Sequence, residues 1–129
     1  MALVNIVLAL ALAEYLYFGF AVGRARERYG IKAPAITGHQ TFECYYRVQM
    51  NTLEVLIAFV PALWLFAYYV SAQWAAVLGA VFIVGRLVYF RAYVSDPSKR
   101  NLGFLLSILP VAALIVGGLI GATRAAWPQ

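Results

Sequence analysis

Long apolar runs alternate with short polar connections along this chain. The runs cover Leu3 to Val22, about Val48 to Val70, about Trp74 to Val94 and about Leu102 to Thr123. Each holds about 20 residues, enough to cross roughly 30 Å of hydrocarbon as a helix rising about 1.5 Å per residue. A membrane strand would need only about 10 residues and would alternate polar with apolar side chains, whereas these runs are apolar round most of the circumference. The pattern predicts an all-α, integral membrane four-helix bundle with helices over about 3–22, 42–70, 74–94 and 101–123, forming one transmembrane domain across 1–129. The first run has no basic residue ahead of it and carries Glu14 in its middle, so it reads as a retained span rather than a signal peptide. Composition agrees: 64% of residues are hydrophobic and only 12% charged, against about a quarter charged in a soluble domain.

Charge then gives the spans a direction. Arg24, Arg26, Arg28 and Lys32 sit between the first two runs, and Lys99 and Arg100 between the last two, with Arg91 close by. The connection around Ser71 to Gln73 is uncharged. Basic connections stay in the cytoplasm, which places both termini on the opposite side. The net charge of +5 is therefore a topology signal, reinforced by anionic headgroups; residues that flank membrane spans do not make a nucleic-acid surface. Gly30, Pro34 and Gly38 break the first basic connection, and Asp96-Pro97-Ser98 marks the second. Pro61 and Pro110 fall inside spans and are expected to kink them. Gly117 and Gly121, one turn apart, permit close helix contact. Tyr15, Tyr17, Phe18, Trp64, Tyr68, Tyr69, Trp74 and Trp127 read mostly as lipid-facing or interfacial. The single cysteine, Cys44, excludes an intrachain disulfide, and the single histidine, His39, supplies no metal site.

The interruptions of the apolar runs carry the chemistry, because charge inside a membrane costs several kcal/mol and marks function. On the second span Glu43, Arg47, Asn51 and Glu54 fall within about 80° of arc at about 100° per residue. Gln49 lies in the same run. The third span places Arg86, Tyr89 and Tyr93 on one face, and Arg100 opens the fourth. Arg26, near the end of the first span, faces the same depth. An internal network is one reading, with Arg47 paired to Glu54 or Glu43 and Arg86 paired to Glu54. A pocket for a polar, anionic ligand is the other, and it also accounts for two tyrosines and an asparagine on the same faces; arginine binds carboxylates with two parallel hydrogen bonds.

The run Phe42-Glu43-Cys44-Tyr45-Tyr46-Arg47-Val48-Gln49-Met50-Asn51-Thr52-Leu53-Glu54 resembles the signature of the MAPEG family, the membrane-associated proteins of eicosanoid and glutathione metabolism. Arg86-Leu87-Val88-Tyr89-Phe90-Arg91-Ala92-Tyr93 is similar to its second motif, and Asp96-Pro97-Ser98-Lys99-Arg100 looks like the microsomal glutathione S-transferase branch. The resemblance implies a homotrimer with glutathione, a co-substrate, bound between adjacent subunits toward the cytoplasm, and no metal. It assigns glutathione binding to Arg26, Arg47, Gln49, Asn51, Glu54, Arg86, Tyr89 and Tyr93, and thiolate stabilisation to Arg100. The activity implied is attack of glutathione on a lipophilic electrophile from the bilayer, a detoxification chemistry, with reduction of lipid hydroperoxides as a further activity in some members. A non-catalytic binding scaffold of the same family is an alternative. The chain departs from the pattern at Val55, where several members carry a tyrosine. From a different class, Glu14 within a four-span protein is similar to the proton-coupled small multidrug exporters, although the arginines of the second and third spans would repel cationic cargo.

Overall fold

The computed structural model describes residues 1–127 as helices α1 (Ala2–Tyr29), α2 (Gln40–Tyr69), α3 (Ala72–Ser95) and α4 (Asn101–Ala126), with a 3-10 turn at Pro97–Lys99 before α4. All four long helices have the length and apolar content to cross a membrane. The first is longer than its apolar run. It carries Arg24, Arg26 and Arg28 on helical backbone rather than in a connection, because Ala, Arg and Glu all favour helix and nothing before Gly30 stops it. Gly30 then adopts the left-handed conformation (φ 67°, ψ 32°), which glycine enters without a Cβ clash, and Ile31 N–H bonds the Arg26 carbonyl at 3.0 Å.

The starts of α2 and α3 are capped by side chains. His39 Nδ1 accepts from Thr41 N–H at 3.2 Å, while Glu43 reaches back to accept from Gly38 N–H at 3.3 Å. Ser71 Oγ accepts from Trp74 N–H at 3.2 Å and opens α3. Each cap satisfies backbone donors that a helix start leaves open. Pro61 and Pro110 lie inside α2 and α4 without ending either helix.

Helix packing rests on one apolar core and on small residues at the closest approaches. Phe59 and Phe82 stack at 3.9 Å between α2 and α3, surrounded by buried Val4, Ala11, Leu63, Ala75 and Leu114. Gly85 of α3 lies against the α4 backbone, where an added Cβ would come within 2.6 Å of Leu106 C. Gly103 of α4 returns the contact, lying against the backbone of Tyr89. Lower on α4, Gly117 and Gly121 pack on Phe66 and Tyr69 of α2, the close contact that their spacing permitted. Lipid is as apolar as leucine, so such backbone approach supplies the dispersion that holds membrane helices together.

Most of the aromatic belt is exposed, with Tyr68, Trp74 and Trp127 prominent. Phe18 is a correction: it is fully buried and stacks on Phe90 at 4.8 Å, because it falls on the face of α1 that meets α3.

The paired glycines give a test. Gly85→Leu and Gly103→Val each force α3 from α4 and should lower stability by about 1–3 kcal/mol or more. The apparent Tm in detergent should fall by several degrees, while lipid-facing Leu119→Ala leaves it nearly unchanged.

Candidate functional site

At the end of the bundle where α3 turns into α4, a cavity of about 520 Å³ is lined by Arg47, Asn51, Tyr89, Tyr93, Arg100 and Phe104. Its walls come from three helices. Arg47 and Asn51 are one turn apart on α2, and Tyr89 and Tyr93 one turn apart on α3, with ring centroids 5.4 Å apart. The close pass at Gly103 brings α4, and with it Phe104, 6.4 Å from the Tyr89 ring.

Arg100 is aimed by the turn before it. Asp96 Oδ1 accepts from Ser98 Oγ at 2.8 Å and Ser98 N–H at 3.1 Å. The two bonds hold the Asp96 carboxyl below its ordinary range, so the turn keeps its cap throughout the neutral range. The following Arg100 donates Nη1–H to Pro97 O at 3.0 Å. It stands at the start of α4, where unpaired backbone N–H groups add positive potential.

Behind the groove, Arg86 is fully buried, with 0% of its surface exposed. Its Nη1 donates to Asn51 Oδ1 at 2.7 Å and to Thr52 Oγ1 at 3.2 Å, and its Nε to Ser107 Oγ at 2.9 Å. Ser107 accepts that bond and donates its own hydroxyl to Gly103 O at 2.7 Å. The guanidinium also lies over the Tyr89 ring, 4.3 Å from its centroid. Arginine only donates, so the Asn51 carboxamide must turn its oxygen inward. Its NH₂ then faces the groove as a donor. Glu14 of α1 is also buried, and Glu14 Oε2 and Arg86 Nη2 make no hydrogen bond to protein.

The structure thus brings together Arg47, Asn51, Tyr89, Tyr93 and Arg100. Glu54 joins at the edge through Arg47, whose Nη1 lies 3.5 Å from Glu54 Oε1, with both side chains more than half exposed at 51% and 59%. Arg86 supports this set from behind, and its partners are Asn51, Thr52 and Ser107 rather than Glu54. Within one chain, Arg26 and Gln49 lie elsewhere. Arg26 donates to Ala35 O at 2.7 Å and covers the Phe42 ring at 4.9 Å, and Gln49 packs beside Gly19 of α1, about 200° round α2 from Arg47. Val55 is buried in the core and is not among the residues that line the groove. Phe104, Thr52 and Ser107 were not singled out by sequence. A serine or threonine in an apolar span is commonplace, and only the position of Arg86 shows what their hydroxyls are for.

Chemically, the groove, which Asn101 also lines, offers two guanidinium groups, two carboxamides and two phenols, with one carboxylate at its rim. It suits an elongated polar ligand with more than one negative charge and a positively charged group.

A model of the MAPEG family matches residues 4–120. An uncharacterised protein of Synechocystis is 47% identical over 115 residues, covering 89% of this chain and 84% of that protein. Microsomal glutathione S-transferase 2 of Homo sapiens is 38% identical over 112 residues, covering 87% of this chain and 76% of its own length. Leukotriene C4 synthase of Cavia porcellus is 33% identical over 130 residues, with 87% of each chain covered.

The buried network predicts a graded response. Ser107→Ala leaves one Arg86 donor unanswered and should cost about 1–3 kcal/mol. Arg86→Leu removes the donors that Asn51, Thr52 and Ser107 share and should cost more, about 3 kcal/mol or above. The double variant Glu14→Leu/Arg86→Leu should lose less than the sum of its two single variants, measured by thermal unfolding in detergent.

Proposed function

Because this chain belongs to the MAPEG family, we propose that it is a glutathione-utilising membrane enzyme, a glutathione transferase that activates the thiol for attack on lipophilic electrophiles. The observation that carries this reading is the convergence of Arg47, Asn51, Tyr89, Tyr93 and Arg100 on one groove at the end of four membrane-length helices. Glutathione is an elongated peptide with two carboxylates, one ammonium and a thiol. Arg47 and the Asn51 NH₂ supply donors for carboxylate, Glu54 supplies an acceptor for the ammonium, and Tyr89 and Tyr93 flank the chain of the peptide.

Arg100 then has the chemical role. A thiol with a pKa near 8.5 is mostly protonated at neutral pH, and the thiolate is the nucleophile. A guanidinium at a helix start lowers that pKa, each unit corresponding to about 1.4 kcal/mol. The sulfur attacks an electrophilic carbon arriving from the bilayer; a C–S bond forms and the leaving group departs with its electron pair. The proton released on thiolate formation passes to solvent at the open end.

The working unit in this proposal is a homotrimer of one transmembrane domain per chain. Glu54 lies about 21 Å along α2 from its start, close to the middle of a 30-residue helix. A half-exposed ion pair at that depth cannot stand against lipid, so a neighbouring subunit covers it. Arg26 and Gln49, turned away from their own chain's groove, are the residues that would complete the neighbour's. The groove opens to the cytoplasm, by the basic connections at that end. An exporter working through Glu14 fits less well, since that side chain is buried inside the bundle.

Addition of glutathione to the purified protein at neutral pH should raise the ultraviolet absorbance of thiolate. Arg100→Ala should abolish that signal while retaining glutathione binding, and its turnover with an aryl halide should recover as pH rises toward the free thiol pKa. Equal thiolate formation in wild type and Arg100→Ala would remove the assigned role. Arg47→Ala should weaken glutathione binding by at least tenfold, about 1.4 kcal/mol. A hydroperoxide run in parallel distinguishes conjugation from peroxide reduction, and binding without turnover on either substrate would favour the scaffold.

A further inference from the structure

A second cavity, of about 290 Å³, opens on the other side of the chain, between α1, α2 and α3. Its lining includes Tyr17, Ala21, Arg24 and Arg28 from α1, Tyr45 from α2 and Phe90 from α3. Residues 17, 21, 24 and 28 fall within about 60° of arc on α1, and Arg26 lies about 180° from Tyr17. On α1 the cleft therefore faces away from Arg26. On α2, Tyr45 is about 200° from Arg47, so the cleft and the Arg100 groove are separate sites.

The cleft has a polarity that runs along the helix axis. Tyr17 and Arg28 are about 16 Å apart along α1. The Tyr17 end is aromatic: Phe90 sits at its centre, edge-on to Tyr17 at 6.1 Å and to Tyr45 at 5.7 Å. The Arg28 end carries two guanidinium groups one turn apart, beside the Gly30 stop that ends the span. Among the described residues the one ion pair within 4 Å is Arg47–Glu54, so Arg24 and Arg28 have no carboxylate partner of that kind. Arg28 instead lies over the Tyr29 ring at 5.6 Å. Cationic at the helix end and aromatic toward the span, the cleft has the orientation of a lipid in the leaflet beside it. Basic pockets between membrane helices recognise acidic headgroups, and a soluble anion would make no use of the aromatic half.

We propose that this cleft is a binding site for an anionic phospholipid, with Arg24 and Arg28 on the headgroup phosphate and Phe90, Tyr17 and Tyr45 against the start of an acyl chain. The site is independent of the glutathione reading and stands or falls separately from it.

The test uses the full chain purified in a neutral detergent. Phosphatidylglycerol, phosphatidylcholine and inorganic phosphate are titrated separately, with bound lipid counted by native mass spectrometry and thermal unfolding followed in parallel. Phosphatidylglycerol should bind saturably and raise Tm, with phosphatidylcholine at least tenfold weaker and phosphate without effect. Arg24→Gln/Arg28→Gln should reduce phosphatidylglycerol affinity at least tenfold. Arg91→Gln/Lys99→Gln, which removes equal charge from the same end, should leave it within about twofold. Ala21→Trp, which fills the cleft and keeps both arginines, should also block the lipid. Equal binding of the two lipids, an equal effect of phosphate alone, equal loss in the two charge variants, or unchanged binding in Ala21→Trp would each overturn the proposal.

Discussion

A guanidinium with no water around it must be answered by the helices packed against it. Arg86 hydrogen-bonds Asn51 and Thr52 on α2 and Ser107 on α4, and Glu14 of α1 is buried in the same bundle. In hydrocarbon the alternative to each bond is an unsatisfied polar group, so the arrangement resists every motion that would separate the helices. The glycines at 85 and 103 serve the same end. They let α3 and α4 approach until Ser107 comes within reach of Arg86, and a larger residue at either would open the network as well as the packing.

This network also shapes the groove in front of it. By taking the Asn51 oxygen, Arg86 decides which end of that carboxamide a ligand meets. By lying over the Tyr89 ring, it fixes one aromatic wall. The groove is thus rigid on its inner side, where the network holds it, and open on its outer side, where Arg47, Glu54 and Arg100 are exposed. The inner half of the groove is thus preformed and need not be ordered again when a ligand binds.

The sequence was most legible where one physical rule dominates. Four membrane-length helices follow from apolar length alone, and the polar faces of α2 and α3 follow from a period of about 3.6 residues. The end of α1 was less legible: the apolar run closes at Val22, whereas the helix continues to Tyr29 and stops only at Gly30, because basic and acidic residues extend a helix as readily as apolar ones. What escaped was anything decided by rotation between helices. Arg86, Tyr89 and Tyr93 share a face on paper, yet the bundle places Arg86 behind the groove and the tyrosines along it. Phe18 looked like one more exposed aromatic, and its burial depends on which side of α1 meets α3. The hydroxyls of Thr52 and Ser107 acquire meaning only from a residue more than 20 positions away in each case.

The placement of charge across the molecule separates two uses of arginine that composition lumps together. Arg86 is enclosed and spends its donors on its own chain. Arg47 and Arg100 are exposed at one groove, where the opposing acidic group within reach is Glu54. Arg24 and Arg28 are exposed at another, over an aromatic floor. A guanidinium left open beside lipid or beside a subunit boundary retains most of its hydrogen-bonding capacity for whatever anion arrives. The two faces differ in what surrounds the cations. Phenols and carboxamides accompany the first pair, whereas aromatic rings running toward the span accompany the second. The same residue type, at the same end of the bundle, is thereby set in two different chemical surroundings by the side chains placed beneath it.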